Sequence, residues 1–187
     1  DMSIIENAAG DGFSASTPRS GQKVGYGTSA FDGMQINLFD TVDFTKLSGK
    51  DGIVPYLNMW VTDGTHYAII SSENDYRGTD FQARQEWKIF EYDTTAGLDW
   101  LFDSGTGARS SSQYLTLDGV NVTLADLSDS IYLADPGAAY PSYVGTGAPR
   151  GGYGFNVIFG DTQSNYVGNF AISDLTVTYD GENFEAV

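Results

Sequence analysis

Cysteine is absent from the 187 residues, and histidine occurs once, as His66. The first absence excludes a disulfide framework, thiol nucleophiles, iron–sulfur clusters and thiolate-bound zinc. The second excludes a metal site built from several imidazoles. Cationic side chains are few: nine Lys and Arg stand against 25 Asp and Glu, a formal net charge of −16. A surface so poor in cations cannot neutralise a phosphate backbone or settle on an anionic bilayer, so neither nucleic acid nor a membrane is an expected partner. No apolar run approaches the roughly 18 residues of a membrane span. Glu is scarce too, six against 19 Asp. Glu favours helices whereas Asp favours caps and turns, and no segment carries a long apolar stripe at the helical period. Helix is therefore expected only as one or two short turns, over 79–86 and 125–129.

What is present points to β-structure. Gly occurs 23 times, and Tyr and Phe together another 23. That mixture suits short strands joined by tight turns. A mean hydropathy of −0.24 with 41% hydrophobic residues fits a globular chain rather than an acidic disordered tail. Strands are expected at 34–39, 56–62, 66–71, 85–92, 113–117, 120–124, 153–159 and 170–179. Asp63-Gly64 and Asp118-Gly119 sit between apolar runs. There they predict type I′ hairpins, because both central residues must take positive φ. Asp32-Gly33, Asp51-Gly52 and Asp180-Gly181 are further turn tips. In the last long strand Phe170 and Ile172 share one phase, while Leu175, Val177 and Tyr179 share the other. One extra residue near Ser173-Asp174 reconciles them, which predicts a β-bulge. With neither repeat nor linker, residues 1–187 are read as a single all-β domain, an antiparallel two-sheet β-sandwich.

The ending Gly-Phe-Asn-Val-Ile-Phe-Gly-Asp161, then Gly168-Asn-Phe-Ala-Ile-Ser-Asp-Leu-Thr-Val-Thr178, resembles the closing strands of jelly-roll modules. It is similar to the concanavalin A-like and carbohydrate-binding sandwiches of exported bacterial proteins. The strand from Tyr56 to Trp60 with its Asp-Gly turn is similar as well. The resemblance implies a jelly roll that is secreted, binds ligands and often holds structural calcium. Export also suits the acidic composition and a chain opening on Asp1 rather than on a leader.

Catalytic patterns are missing. There is no Gly-x-Ser-x-Gly elbow for a nucleophile, and Gly151-Gly-Tyr-Gly154 lacks the lysine of a phosphate loop. Glu86 and Glu91 differ by an odd number, so one regular strand would point them to opposite faces. The Glu-x-Asp-x-x-Glu and Gln-x-His strands of sandwich glucanases and lyases are absent. His66, close to a hairpin tip, reads as a surface or cross-strand packing residue. Trp87 and Trp100 read as core.

Binding is the better reading. Leu57, Met59 and Val61 form one purely apolar face of their strand, whereas Tyr56, Asn58 and Trp60 form a mixed face. The mixed face suits either a sugar platform or a sheet surface covered by a loop. Residues 135–154 form a long connection carrying Tyr140, Tyr143, Arg150 and Tyr153, stiffened by three prolines. Its aromatic rings and guanidinium are candidate ligand contacts. For calcium, which takes six to eight oxygens, the candidate groups are Glu73, Asn74 and Asp75 with Asp80, Asp126 with Asp129, and Asp161 with Asn165. Each also suits an Asx turn. The leading expectation is a secreted, non-catalytic module that binds an extracellular glycan or another surface ligand, with structural Ca2+. The alternatives are a subunit that self-associates by lending its N-terminal strand, and a polysaccharide-active enzyme.

Overall fold

The computed structural model describes residues 2–49, 55–73, 83–137, 153–160 and 166–185. The chain runs through β1 (Ser3–Glu6), β2 (Phe13–Thr17), β3 (Val24–Thr28), β4 (Phe39–Ser48), β5 (Tyr56–Thr62), β6 (Tyr67–Ser71) and β7 (Lys88–Tyr92). It continues through β8 (Gly107–Arg109), β9 (Leu115–Leu117), β10 (Val120–Asn121), β11 (Tyr132–Leu133), β12 (Phe155–Phe159), β13 (Gly168–Tyr179) and β14 (Glu182–Glu185). Helix appears only as short 3-10 turns, three of which, each of three residues, lie wholly among the described residues. The architecture is the expected all-β antiparallel sandwich.

One sheet has β13 at its centre. The first half of β13 pairs with β2, which carries β1 on its far side. The second half pairs with β14, and β4 runs along the other flank. The other large sheet has the order β3-β12-β5-β6-β7, with β11 added beside β5. The three-stranded sheet β10-β9-β8, built on the expected Asp118-Gly119 hairpin but separate from the two expected sheets, hangs from β7 through a bridge between Lys88 and Tyr114.

The two large sheets pack face to face because each strand buries alternate residues. Phe13, Val42, Phe170, Ile172, Leu175 and Val177 come from one sheet; Leu57, Met59, Val61, Ile70, Ile89, Val157 and Phe159 come from the other. Phe159 stacks on Phe170 across the layer, with centroids 4.7 Å apart. Phe31 packs edge-on against both Phe39 and Phe155. Trp87 lies wholly in this core, whereas Trp100 is only partly buried.

Local expectations meet mixed outcomes. Asp118-Gly119 and Asp180-Gly181 both have positive φ, at 49° and 83° and at 47° and 76°, in two-residue hairpins. The β13 bulge lies where expected: the register against β4 shifts between Ser173 and Thr176, and Asp174 takes φ 53°. Asp63-Gly64 does not make a type I′ turn. Thr62 pairs with Tyr67 across a four-residue loop, because Asp63 Oδ1 accepts the amides of Thr65 and His66. The 34–39 strand is also corrected: Gln35 makes an isolated bridge, and Ile36–Leu38 is a 3-10 turn. Its buried residues, Ile36 and Phe39, are three apart, which fits a turn rather than an alternating strand. The expected 125–129 turn appears as Leu124–Asp126, held by a capping box between Thr123 and Asp126. Asp51-Gly52 and most of the 79–86 turn lie outside the described residues. β1 lies on β2 of its own chain, from the Ser3–Ser16 pair to the Glu6–Phe13 pair. The segment considered for donation is thus paired internally.

Candidate functional site: the outer face of the larger sheet

Residues paired directly across antiparallel strands point to the same side of the sheet. Five such residues line up across the six-stranded sheet on the face opposite the core: Gly27 of β3, Asn156 of β12, Asn58 of β5, Ser71 of β6 and Lys88 of β7. An apolar row runs along each side of this polar one. Tyr56, Ile158 and Gly25 form the first; Trp60, Ile69 and Phe90 form the second. The outer face is therefore amphipathic, a polar row between aromatic and aliphatic ones.

Asn156 is fully buried. Its Nδ2 donates to the carbonyl of Tyr153 at 2.7 Å and to that of Asn58 at 3.3 Å. Its Oδ1 accepts no hydrogen bond. A buried acceptor left this way costs about 1–3 kcal/mol. Tyr153, 36% exposed, lies against Gly27. A Cβ on Gly27 would overlap its ring and come within 2.5 Å of Asn156 Oδ1, so glycine is required there by close approach. Gly154 fixes the same segment by accepting the Trp60 amide at 2.8 Å.

The sequence-predicted ligand contacts divide three ways. Tyr153 is at the surface beside the row. Tyr56, Asn58 and Trp60 are on the row or its walls but no more than 4% exposed, so they form no open platform in this structure. The covered-face alternative describes these three. Tyr140, Tyr143 and Arg150 lie outside the described residues. Lys23 sits over the Tyr56 ring at 5.5 Å and pairs with Glu73 at 3.4 Å. Asn156, Ser71 and Lys88 were missed. Asn156 pairs with a residue 98 positions away, which periodicity along one segment cannot reveal.

Of the calcium candidates, Asn74, Asp75, Asp80, Asp161 and Asn165 lie outside the described residues. The others are engaged within the protein: Glu73 with Lys23, Asp126 in its capping box, and Asp129 accepting Asn37 Nδ2 at 2.8 Å. No group of three or more His, Cys, Asp or Glu side chains stands together among the described residues.

His66 stacks on Trp100 with centroids 5.6 Å apart, and its Nδ1 lies 3.0 Å from Asp63 Oδ2. Burial pushes the Asp63 carboxyl up, but hydrogen bonds from His66 and Thr65 outweigh it, and the net shift is downward. Arg84 Nη2 donates to the carbonyls of Ser72 and Glu86, and its guanidinium lies over Trp87.

Comparison with known protein families, with curated proteins and with solved structures finds no match.

Proposed function

We propose that the protein is a non-catalytic binding module for an extracellular carbohydrate, taken up along the outer face of the six-stranded sheet. The observation that carries this reading is Asn156: a buried carboxamide with both protons used, its oxygen unanswered, set in a polar row between apolar walls. A sugar hydroxyl donating to Oδ1 would remove the cost of that orphan acceptor. The pyranose faces would meet Tyr153, Tyr56 and Trp60. The middle of the row is closed to solvent, so uptake displaces what lies over it, and Tyr153 moves off Gly27.

Binding to a panel of immobilised poly- and oligosaccharides, with and without chelator, tests the reading. Binding by the wild type that falls at least tenfold in Asn156→Ala and Tyr153→Ala, each shown by its melting transition to be folded at the assay temperature, supports it. Absence of binding across the panel, or binding that both variants retain in full, overturns it.

A further inference from the structure

Resting on that reading, we infer that the ligand is an acidic glycan, one carrying uronate carboxylates, and that Lys88 is the residue that selects it. Lys88 closes the polar row at the end away from Gly27. At the usual spacing between strands its Cα is about 15 Å from that of Asn156, a reach for an oligosaccharide rather than a single sugar. Its backbone is fixed on both sides, to Ser71 in β6 and through the bridge to Tyr114. Its side chain leaves the sheet on the same face as Asn58, Ser71 and Asn156 and is half-buried.

Charge makes this position distinctive. The chain carries 25 carboxylates and only four lysines. Lys23, the other cation beside the row, is held by Glu73. No ion pair joins Lys88 to a carboxylate among the described residues. In a chain with a net charge of −16, a cation at the end of this row offers a carboxylate a local attraction against the general repulsion. A ligand carboxylate meeting it gains a charge-assisted hydrogen bond. A neutral glycan gains nothing there, so the lysine discriminates between ligands by their charge.

The test compares polygalacturonate oligosaccharides with their methyl esters, which keep every hydroxyl and lose the charge. Calorimetry is run on wild type, Lys88→Gln and Lys88→Arg, each first shown to melt at the wild-type temperature. The expected result is that the wild type prefers the free acid by about tenfold, that the glutamine variant loses that preference while binding the ester as before, and that the arginine variant keeps it. Higher salt should weaken the acid complex and leave the ester complex unchanged. Equal affinity for acid and ester, or undiminished binding of the acid by the glutamine variant, overturns the assignment to Lys88 but leaves the carbohydrate reading standing. If neither polymer binds, the acidic class is overturned, and the wider panel decides the carbohydrate reading separately.

Discussion

Replacing Gly27 by alanine probes the arrangement around Asn156 directly. The new methyl would overlap the Tyr153 ring and stand 2.5 Å from Asn156 Oδ1. The backbone φ of Gly27 lies outside the left-handed region, so conformational strain adds nothing. Alanine in fact gains about 0.5–1 kcal/mol by restricting the unfolded chain. Forcing a methyl into filled space costs about 1–3 kcal/mol. The balance is a destabilisation of about 1–2 kcal/mol, or about 2–8 °C for a domain of this size. Urea unfolding measures it, and a double-mutant cycle assigns it. With Tyr153→Ala as background the ring is gone and only the Asn156 contact remains, so the penalty should fall to less than half. That corresponds to a coupling of about 0.5–1.5 kcal/mol. Equal penalties in the two backgrounds would refute the claim that the tyrosine ring sets the glycine.

Four further outcomes are expected. Phe170→Ala removes the ring stacked on Phe159 in the core and should cost about 3–5 kcal/mol in urea unfolding. Gly119→Ala places a side chain at φ 83° in the β9–β10 turn and should cost about 1–2 kcal/mol, with little change in ligand binding. The Tyr26 phenol is pushed up to about 12 by burial and by its hydrogen bond to Glu6. The folded state therefore favours the neutral phenol, so the stabilisation is complete below the ordinary value of about 10 and is lost as pH rises towards the folded one. Melting temperatures from pH 9 upward should fall more steeply for wild type than for Tyr26→Phe, and parallel curves would exclude the linkage. Structural calcium, proposed from composition and resemblance, predicts a lower melting temperature after dialysis against EGTA that added Ca2+ restores; an unchanged temperature removes calcium from the account.

What the sequence disclosed was local. Asp118-Gly119 and Asp180-Gly181 are legible because a two-residue loop needs two positive φ values and these residue types supply them. The bulge in β13 is legible because Phe170 and Leu175 cannot face the same core without it. Asp63-Gly64 misled because its carboxylate caps two amides, which makes a wider loop as favourable as the tight one. β4 escaped notice because it buries only Phe39 and Val42 fully, three apart and brought to one face by the register shift beside Tyr179, while Asp40, Thr41, Asp43, Thr45 and Lys46 are polar. The mixed face of β5 was visible, but the burial of Trp60 and Tyr56 depends on segments far away in the chain. So does the meeting of Asn58 with Asn156, because register between strands about 100 positions apart is set by tertiary packing.

The position of β13 has a consequence for biosynthesis. β2 and β4, both made early, find their common neighbour only in residues 168–179, close to the end of the described chain. A nascent polypeptide whose β13 has not yet emerged from the ribosomal tunnel has one entire layer of the sandwich without its central member. That layer is completed only once β13 has emerged, and the slow kinetics of distant pairings apply to it as a whole. Until that moment Phe13 and Val42 are exposed, and a chaperone that shields them would raise the yield of native protein.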